Sequence, residues 1–309
     1  MKRYFRVLLG LKGIFADQCF KGNFIGMDIG INEDLTPNLP EDWREFNRKF
    51  IPVFLGLHPG KSRVAAGLAC GNLVTVAKDI KIGDIVLCPT GTGIYRVGEI
   101  TSNYFYAPGT DLPHRRSVTW FNKIIDKSEM SEELRISSKS NGSVVVNISG
   151  YQEEIEKLIG GAPVPVIVST DPTVEDPLAF AMEKHLEDFL VQNWAQTELG
   201  KEYDVYAEEG GPVGQQYPTD TGPIDILATS KDKKRLLVVE LKKGRASDVV
   251  VGQILRYMGY VQEELAEPGQ TVSGVIIALE DDQRIRRALA VVPSINFYRY
   301  QISFRLLRS

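Results

Sequence analysis

The chain has 309 residues, of which 43% are hydrophobic and 25% charged, and its mean hydropathy is -0.13. This composition is typical of an ordinary globular protein and excludes the collagenous, low-complexity and intrinsically disordered classes. The 36 basic and 40 acidic side chains leave a net charge of -4. That charge argues against nucleic-acid binding through overall charge, but it leaves room for a local basic track.

The sequence gives no sign of a membrane segment, a disulfide scaffold or a zinc site. No stretch reaches the roughly 18 consecutive apolar residues of a membrane helix, and no apolar signal-peptide core follows Met1. We therefore expect a cytoplasmic protein without a membrane partner. Cys19, Cys70 and Cys88 are odd in number, widely spaced and without a CxxC pair, which favours buried thiols.

Glycine and proline concentrate near the middle of the chain, where they break helices and favour extended backbone. The sequence therefore predicts a linker at 161–175 between a first domain at 1–160 and a second at 176–309. The length agrees with two domains. Whether residues 123–160 belong to the first domain or to the linker is left open.

The first domain is predicted to be α+β, with strands interrupted by amphipathic segments. Short helices near 131–135 and 151–158 are expected to pack beside it. The main elements predicted are a helix at Asp42–Leu55, a helix capped by Ser62 that runs to Cys70, and strands at Asp84–Cys88, Tyr95–Ile100 and Arg116–Phe121.

The second domain is predicted to be α/β with a mixed sheet, because a first helix and a hairpin precede alternating strands and helices. The first helix runs to Trp194 with apolar residues at helical spacing. The elements that follow are strands at Tyr203–Tyr206, Gly222–Thr229 and Leu236–Leu241, a helix from Ser247 to about Glu264, a strand at Val272–Leu279, a helix at Asp282–Ala290 and a strand pair around Phe297–Leu306.

Charged residues interrupt both strands of the predicted hairpin. If Thr229 faces Leu236 across the turn, an antiparallel register places Asp225 opposite Glu240. The two-residue period of a strand then places Lys242 on the same face. Opposed carboxylates repel unless a cation lies between them, and a hard divalent ion prefers oxygen ligands of this kind.

An alternative interpretation is structural: Asp225 and Glu240 would sit at solvated strand ends beside Lys242. The next helix weighs against it, because Gln253 and Tyr257 lie four residues apart and flank its apolar stripe. Such a polar rim would lie over the hairpin face. A role for these two residues at the edge of the core is the alternative.

These motifs resemble those of a known nuclease superfamily. Asp225 followed by Glu240-Leu241-Lys242 resembles the split acidic motif of the PD-(D/E)XK nuclease superfamily, and Gln253 with Tyr257 resembles the QxxxY motif of its RecB-like branch. Over about residues 176–280 the strings are most similar to the catalytic domain of NucS-type endonucleases. The resemblance implies a restriction-endonuclease-like mixed sheet flanked by helices.

The resemblance also implies roles for individual residues. Asp225 and Glu240 would hold Mg²⁺ or Mn²⁺, the Leu241 carbonyl would complete the ligand set, and Lys242 would position or deprotonate the attacking water. A carboxylate from the first helix often joins the site in this superfamily. Glu183 is the first candidate and Glu187 the second, although either, taken alone, is more readily understood as a solvated helix residue.

Further residues are candidates for contact with DNA. Gln253 and Tyr257 would orient the metal site or the scissile phosphate, with Arg256 beside them. Gln216 and Tyr217 follow a glycine-rich approach to the hairpin, where backbone can come near a nucleic-acid strand. A plain loop is the alternative interpretation of that approach.

The first domain carries a second, less specific resemblance. Gly83–Cys88, Gly91–Ile100 and His114–Trp120 are similar in strand order to PUA-like domains of the EVE and YTH kind, over about residues 20–122. This implies a pocket for a flipped, modified base, since aromatic rings stack on any base. Trp43, Tyr106 and Trp120 are the candidates for that pocket, and Arg115 and Arg116, beside His114, for phosphate contact.

Two enzyme hypotheses and one binding hypothesis follow. The first is a modification-dependent DNA endonuclease similar to Mrr-like restriction enzymes, in which the first domain recognises a modified base and the second cleaves double-stranded DNA. The second is a NucS-like endonuclease acting on mismatched or branched DNA. The third is a non-catalytic nucleic-acid reader. Cleavage of both strands usually takes two active sites, so a homodimer is expected.

Overall fold

The computed structural model describes residues 2–39, 42–138, 143–160, 186–208, 211–281 and 283–300. The chain forms two compact units, residues 1–175 with 208–211 and residues 176–207 with 212–309. The linker expected at 161–175 lies outside the described residues, so the domain boundaries stay a prediction. Within the described ranges, no helix has both the length and the apolar character needed to cross a bilayer.

The first unit contains a seven-stranded mixed sheet. Its strand order is β2-β6-β4-β3-β1-β7, with β5 beside β6. Strands β1 and β3 run parallel, and the other neighbours run antiparallel. The strands are β1 (Tyr4–Val7), β2 (Phe24–Met27), β3 (Ile85–Pro89), β4 (Ile94–Ile100), β5 (Phe105–Tyr106), β6 (His114–Asp126) and β7 (Val145–Asn147).

In the described part of the first unit, five α-helices pack on this sheet, and the two principal ones begin where the sequence predicts. The Asp42 side chain accepts a hydrogen bond from the Arg44 N–H, and Ser62 Oγ accepts one from the Ala65 N–H, as N-caps do. The helices are α1 (Ala16–Gly22), α2 (Trp43–Leu57), α3 (Arg63–Val74), α4 (Glu132–Ser137) and α5 (Gln152–Leu158).

Both faces of the first sheet are buried. Along β1, Phe5 and Val7 join a core that contains residues of α1, α2 and α3, whereas Tyr4 joins a second core with Leu134 and Ile155 of α4 and α5. Since β7 pairs with β1, the described residues between 123 and 160 belong to this unit. The sequence had left that question open.

The three cysteines are thiols buried in the first unit, as the sequence predicts. Burial raises the pKa of Cys19 and of Cys70 to about 12 and that of Cys88 well above its ordinary value. A buried thiol with a raised pKa is a poor nucleophile and a poor metal ligand. The cysteines therefore contribute to the packing of the core.

The second unit contains a six-stranded mixed sheet, as predicted. Its strand order is β11-β12-β13-β14-β15, with β8 beside β12. Strands β13, β14 and β15 run parallel, and the others run antiparallel. The strands are β8 (Tyr203–Val205), β11 (Gln215–Tyr217), β12 (Ile224–Ser230), β13 (Arg235–Arg245), β14 (Thr271–Glu280) and β15 (Ile295–Arg299). Strands β9 (Ala207–Glu208) and β10 (Gly211–Pro212) form a separate two-stranded ribbon, whose residues are divided between the two units.

Helices flank this sheet: α6 (186–192), α7 (Val249–Tyr260) and α8 (Gln283–Leu289). Parallel strands need crossover connections, which α7 supplies between β13 and β14 and α8 between β14 and β15. A wider helical turn, Val261–Leu265, extends α7. The final strand is β15, and the residues expected to form its partner extend beyond residue 300, outside the described part.

The two faces of the second sheet carry different helices. Leu186 and Leu190 of α6 pack on the face that holds Ile226 and Val239. On the opposite face, a Cβ built at Gly274 would lie 2.7 Å from Met258 Sδ and 3.0 Å from Ile254 Cδ1. This close approach seats α7 directly on β14 and brings its polar residues over the sheet.

Candidate active site

The hairpin β12–β13 has the register that the sequence predicts. Thr229 pairs with Leu236, and Ile226 pairs with Val239. Continuing that register by one residue places Asp225 opposite Glu240. Both side chains lie on the face that α7 covers, because Ile226 and Val239 point to the α6 face and successive strand residues alternate.

Three charged groups meet on this face. Lys242 Nζ lies 3.2 Å from Glu240 Oε1, and Asp225 Oδ2 accepts a hydrogen bond of 2.7 Å from the Leu241 N–H. Glu240 is buried, with a side chain only 2% exposed. The Leu241 side chain lies in the α6-side core. Its backbone therefore touches the site through the N–H, whereas a role for its carbonyl stays a prediction.

A third carboxylate reaches the site from α6. Gln216 Nε2 donates to Asp225 Oδ1 at 3.2 Å and also to Glu187 Oε2. Glu187, the second candidate of the sequence, is therefore placed at the site. Glu183, the first candidate, lies outside the described residues.

The carboxylates act on one another electrostatically. The pKa of Asp225 is raised well above its ordinary value, first by burial and then by the negative charges of Glu240 and Glu187. The Leu241 N–H and Lys242 oppose this rise. Excess negative charge held in a poorly solvated place favours binding of a cation.

The polar rim of α7 lies at the same place. Gln253 Nε2 donates to Tyr257 Oη at 3.4 Å. Burial raises the pKa of Tyr257, and the charges of Glu240 and Asp225 add to the rise. A Cβ built at Gly222 would lie 3.1 Å from Tyr257 Oη, so the loop before β12 passes close over this hydroxyl.

The chemical type of the donor groups at this site suits a hard divalent cation. Asp225, Glu240 and Glu187 offer carboxylate oxygens, which Mg²⁺ and Mn²⁺ prefer. Among the described residues, no group of three or more His, Cys, Asp or Glu side chains is arranged to hold a metal ion. The donor groups of Gln216 and Lys242 contact these carboxylates instead.

The structure separates the remaining candidates of the second unit. Arg256 is exposed on α7, next to Tyr257 in the chain. Tyr217 is fully buried opposite Ile224 in β11, which corrects the expectation that it contacts nucleic acid. Gln216 is half-buried and donates to two carboxylates of the site, and a contact with DNA from it stays a prediction. The glycine-rich approach thus leads into a strand of the sheet.

The two arginines proposed for phosphate contact in the first unit serve its structure. Arg116 is buried, and its guanidinium donates to the carbonyls of Val76, Ala77 and Ser102. Arg115 lies 3.9 Å over the Phe24 ring and donates to carbonyls of its own loop. Burial corrects the expectation of phosphate contact for Arg116, whereas the same expectation for the half-buried Arg115 stays a prediction.

The structure shows what each of the three aromatics proposed for a base pocket packs against, and the pocket itself stays a prediction. Trp120 packs edge-on against Phe20, with ring centroids 4.9 Å apart, and Tyr106 packs against His114 at 5.3 Å. Trp43 begins α2 and packs on the core. Within the described part of the chain, no ring contact joins any two of the three.

Sequence reasoning missed two residues at the edge of the site. Gln215 Nε2 donates to Glu187 Oε1 and to Asp188 Oδ1, each at 2.6 Å. Asp188 is buried. The adjacent carboxylates at 187 and 188 and the adjacent glutamines at 215 and 216 were the available signal. Only the packing of α6 against β11 makes them partners.

The class of the second unit follows from this architecture. A mixed sheet flanked by helices, with Asp225, Glu240 and Lys242 on one hairpin face beneath a helix carrying Gln253 and Tyr257, defines a restriction-endonuclease-like fold. The comparison with known families agrees. Residues 182–293 match the family described as Endonuclease NucS C-terminal domain, and residues 12–148 match the Domain of unknown function (DUF8426).

Two curated relatives are similar to this chain over part of its length. Endonuclease NucS of Methanocaldococcus jannaschii is 32% identical over 75 residues, which are 24% of this chain and 27% of that protein. Endonuclease NucS of Sulfolobus acidocaldarius is 32% identical over 98 residues, 31% of this chain and 33% of that protein. The chain thus matches about a third or less of these relatives.

Solved structures give a weaker likeness. One described as "Structure of EndoMS-dsDNA2 complex" has 14% identity and a TM-score of 0.32, and the match covers 68% of this chain and 62% of that one. A repair endonuclease from Pyrococcus abyssi has 14% identity and a TM-score of 0.31, with 67% and 78% covered.

Proposed function

We propose that this protein is a metal-dependent DNA endonuclease of the NucS-like kind, acting on mismatched or branched double-stranded DNA. The observation that carries the proposal is the meeting of Asp225, Glu240 and Lys242 on one hairpin face under Tyr257. The match of the second unit to the Endonuclease NucS C-terminal domain supports it. That match favours this hypothesis over the Mrr-like restriction enzyme that the sequence placed first.

Asp225, Glu240 and Glu187 would hold Mg²⁺ or Mn²⁺. When bound, the cation lowers the pKa of a water molecule and offsets the negative charge that builds on a phosphodiester during hydrolysis. The mutual repulsion of the carboxylates, visible in the raised pKa of Asp225, supports this assignment.

Lys242 would act on the reacting phosphate directly. Its ammonium lies 3.2 Å from the buried Glu240 carboxylate, and its side chain is 21% exposed. A fixed positive charge in such a poorly solvated place stabilises the transition state more than a mobile one, because no reorganisation is needed. Gln253 and Tyr257, hydrogen-bonded to each other, would orient the groups beside it.

Double-stranded DNA would approach the face on which α7 lies. Arg256 is exposed there, in the helix that carries Gln253 and Tyr257, and its guanidinium suits a phosphate oxygen pair. With a net charge of -4 for the chain, such local contacts have to supply the attraction. Two copies of the chain would be needed to cut both strands, so a homodimer is part of the proposal.

A cleavage assay tests this function. Purified protein with Mg²⁺ is incubated with mismatched, branched and perfectly paired duplexes. We expect cutting of the mismatched or branched substrates and no cutting by Asp225→Asn, which keeps the shape but not the charge. The matched control is Asp204→Asn, an exposed residue of β8 in the same sheet. Cleavage retained by Asp225→Asn would exclude this site as the catalytic one.

A second candidate function is modification-dependent restriction, in which the first unit binds a flipped, modified base. One observation favours it: the indole Nε1 atoms of Trp43 and Trp120 are buried and have no hydrogen-bond partner among the described residues. A bound base could accept a hydrogen bond from such a group. Adding methylated and hydroxymethylated duplexes to the same assay separates the two functions, since cutting of modified DNA alone would favour this one.

A further inference from the structure

A glutamine amide lies between two carboxylates of the site. Gln216 Nε2 donates to Asp225 Oδ1 at 3.2 Å and to Glu187 Oε2. The two carboxylates come from different elements, β12 and α6. Gln216 is therefore the group that joins the strand carboxylate to the helix carboxylate.

The chemistry of an amide explains this bridge. An ionised carboxylate only accepts hydrogen bonds, so the amide has to present its nitrogen to both partners. The –NH₂ group has two hydrogens, which suffice for one bond to each carboxylate. The bridge offsets part of the repulsion between two negative groups, which is also what a divalent cation does.

The backbone is bent to allow this contact. The pairs Gln215–Ile226 and Tyr217–Ile224 place Gln216 opposite Asp225. Consecutive strand residues normally point to opposite faces, yet the amides of Gln215 and Gln216 both bind Glu187. Gln216 has a φ of 52°, in the left-handed region that residues other than glycine seldom adopt. Such strain is found where the surrounding structure enforces it.

We propose that Gln216 is a positioning residue that holds Glu187 and Asp225 together in the metal-free protein and competes with the divalent cation for their oxygens. The inference rests on the proposed metal-dependent function and deepens it. Each oxygen of Asp225 and Glu187 already accepts a hydrogen bond, and the two bonds from Gln216 occupy lone pairs that a cation would use. The amide therefore lowers the metal affinity of the site while it stabilises the metal-free state.

Removing the amide has opposite consequences for the two states. In Gln216→Ala the metal-free protein retains Glu187 and Asp225 without the bridge, and it is destabilised. The metal-bound protein loses little, because the cation itself then joins the carboxylates. We expect the dissociation constant for Mn²⁺ to fall by about threefold to tenfold, as hydrogen bonds to charged groups no longer compete.

Isothermal titration of Mn²⁺ into the full-length protein tests the inference without measuring cleavage. Gln216→Ala is compared with wild type and with Gln270→Ala, which removes a glutamine amide that bonds to the Lys233 carbonyl in the same unit. Gln216→Gly is the second variant, because glycine adopts the left-handed backbone without strain and protects folding. Both Gln216 variants should bind Mn²⁺ more tightly, and Gln270→Ala should equal wild type.

Thermal unfolding with and without Mn²⁺ separates positioning from a merely structural role. The melting temperature of Gln216→Ala should fall without metal and return to that of wild type with saturating Mn²⁺. Equal or weaker Mn²⁺ binding by the Gln216 variants would overturn the inference, with weaker binding marking Gln216 as a ligand. Wild-type protein that binds no Mn²⁺ would instead count against the proposed function itself.

Discussion

At the scale of single residues, the site concentrates charge where burial makes charge costly. Glu240 is 1% exposed, and a carboxylate so placed is tolerated only when it is paired and hydrogen-bonded. Lys242 provides an opposite charge at 3.2 Å. The same pairing holds the ammonium in one position, which links the stability of the strand to the chemistry proposed for it.

Lys242→Ala should slow cleavage by about 100-fold or more, the usual loss when one preorganised charged donor is removed from a transition state. DNA affinity should change far less, because a single charge contributes little to a whole interface. Single-turnover rates and fluorescence anisotropy measure the two quantities. Lys231→Ala is the control, since this lysine is exposed in the turn of the same hairpin. Near wild-type cleavage by Lys242→Ala would remove this residue from the mechanism.

At the scale of elements, the active site depends on one loop fitting over one helix. Gly222 has a φ of 120°, and a Cβ there would lie 3.1 Å from Tyr257 Oη. The backbone conformation favours glycine, and an added Cβ would need the Tyr257 hydroxyl to move by a few tenths of an ångström. The loop that leads into β12 and the middle of α7 therefore constrain each other, and Asp225 follows three residues after this contact.

Gly222→Ala should lower the free energy of unfolding by about 1 to 3 kcal/mol, from backbone strain together with the contact on Tyr257. Tyr257→Phe removes the oxygen, so the double variant should be more stable than the sum of the single effects predicts, by at least about 0.5 kcal/mol. Denaturant unfolding measures the free energy of unfolding of the two single variants and of the double variant. Gly244→Ala, where an added Cβ meets nothing within 4 Å, should be nearly neutral. Strict additivity would contradict the contact.

At the scale of the whole molecule, the two units differ in how they use ionisable groups. The second gathers carboxylates around a site, whereas the first buries single groups in its structure. His114 is fully buried in β6, with Nδ1 hydrogen-bonded to Tyr104 Oη at 2.9 Å and Nε2 to the Ile31 carbonyl at 2.7 Å. The His114 ring thus links β6 to the chain segments around residues 31 and 104.

His114 should make the first unit sensitive to acid. Burial lowers the pKa of His114 below its ordinary value of 6.5, although Asp28, Asp34 and Glu33 partly oppose the shift. The unfolded chain then binds the proton more readily, so stability is full above about pH 6.5 and is lost as the pH falls through the lowered folded-state pKa. Urea unfolding at several pH values should show this loss in wild type and less of it in His114→Gln.

If His114→Gln kept the wild-type slope of stability against pH, the acid sensitivity would have to come from other groups of the first unit.

The sequence by itself determined the hairpin and the order of the elements around it. The register of Asp225 against Glu240 follows from a short turn and from the two-residue period of a strand, and the N-caps at Asp42 and Ser62 follow from neighbours a few residues away. These features are local. Local geometry is set by residues close in the chain, so a pattern of residues suffices to predict it.

Only the tertiary structure decided which distant residues join that hairpin. Glu187 reaches Gln216, and Tyr217 is buried, because α6 packs on β11. Arg116 is buried because β6 packs against the end of α3. Such contacts depend on how whole elements are seated on a sheet. The sequence around an arginine in a strand or a carboxylate on a helix does not show whether that group faces DNA, solvent or a buried carbonyl.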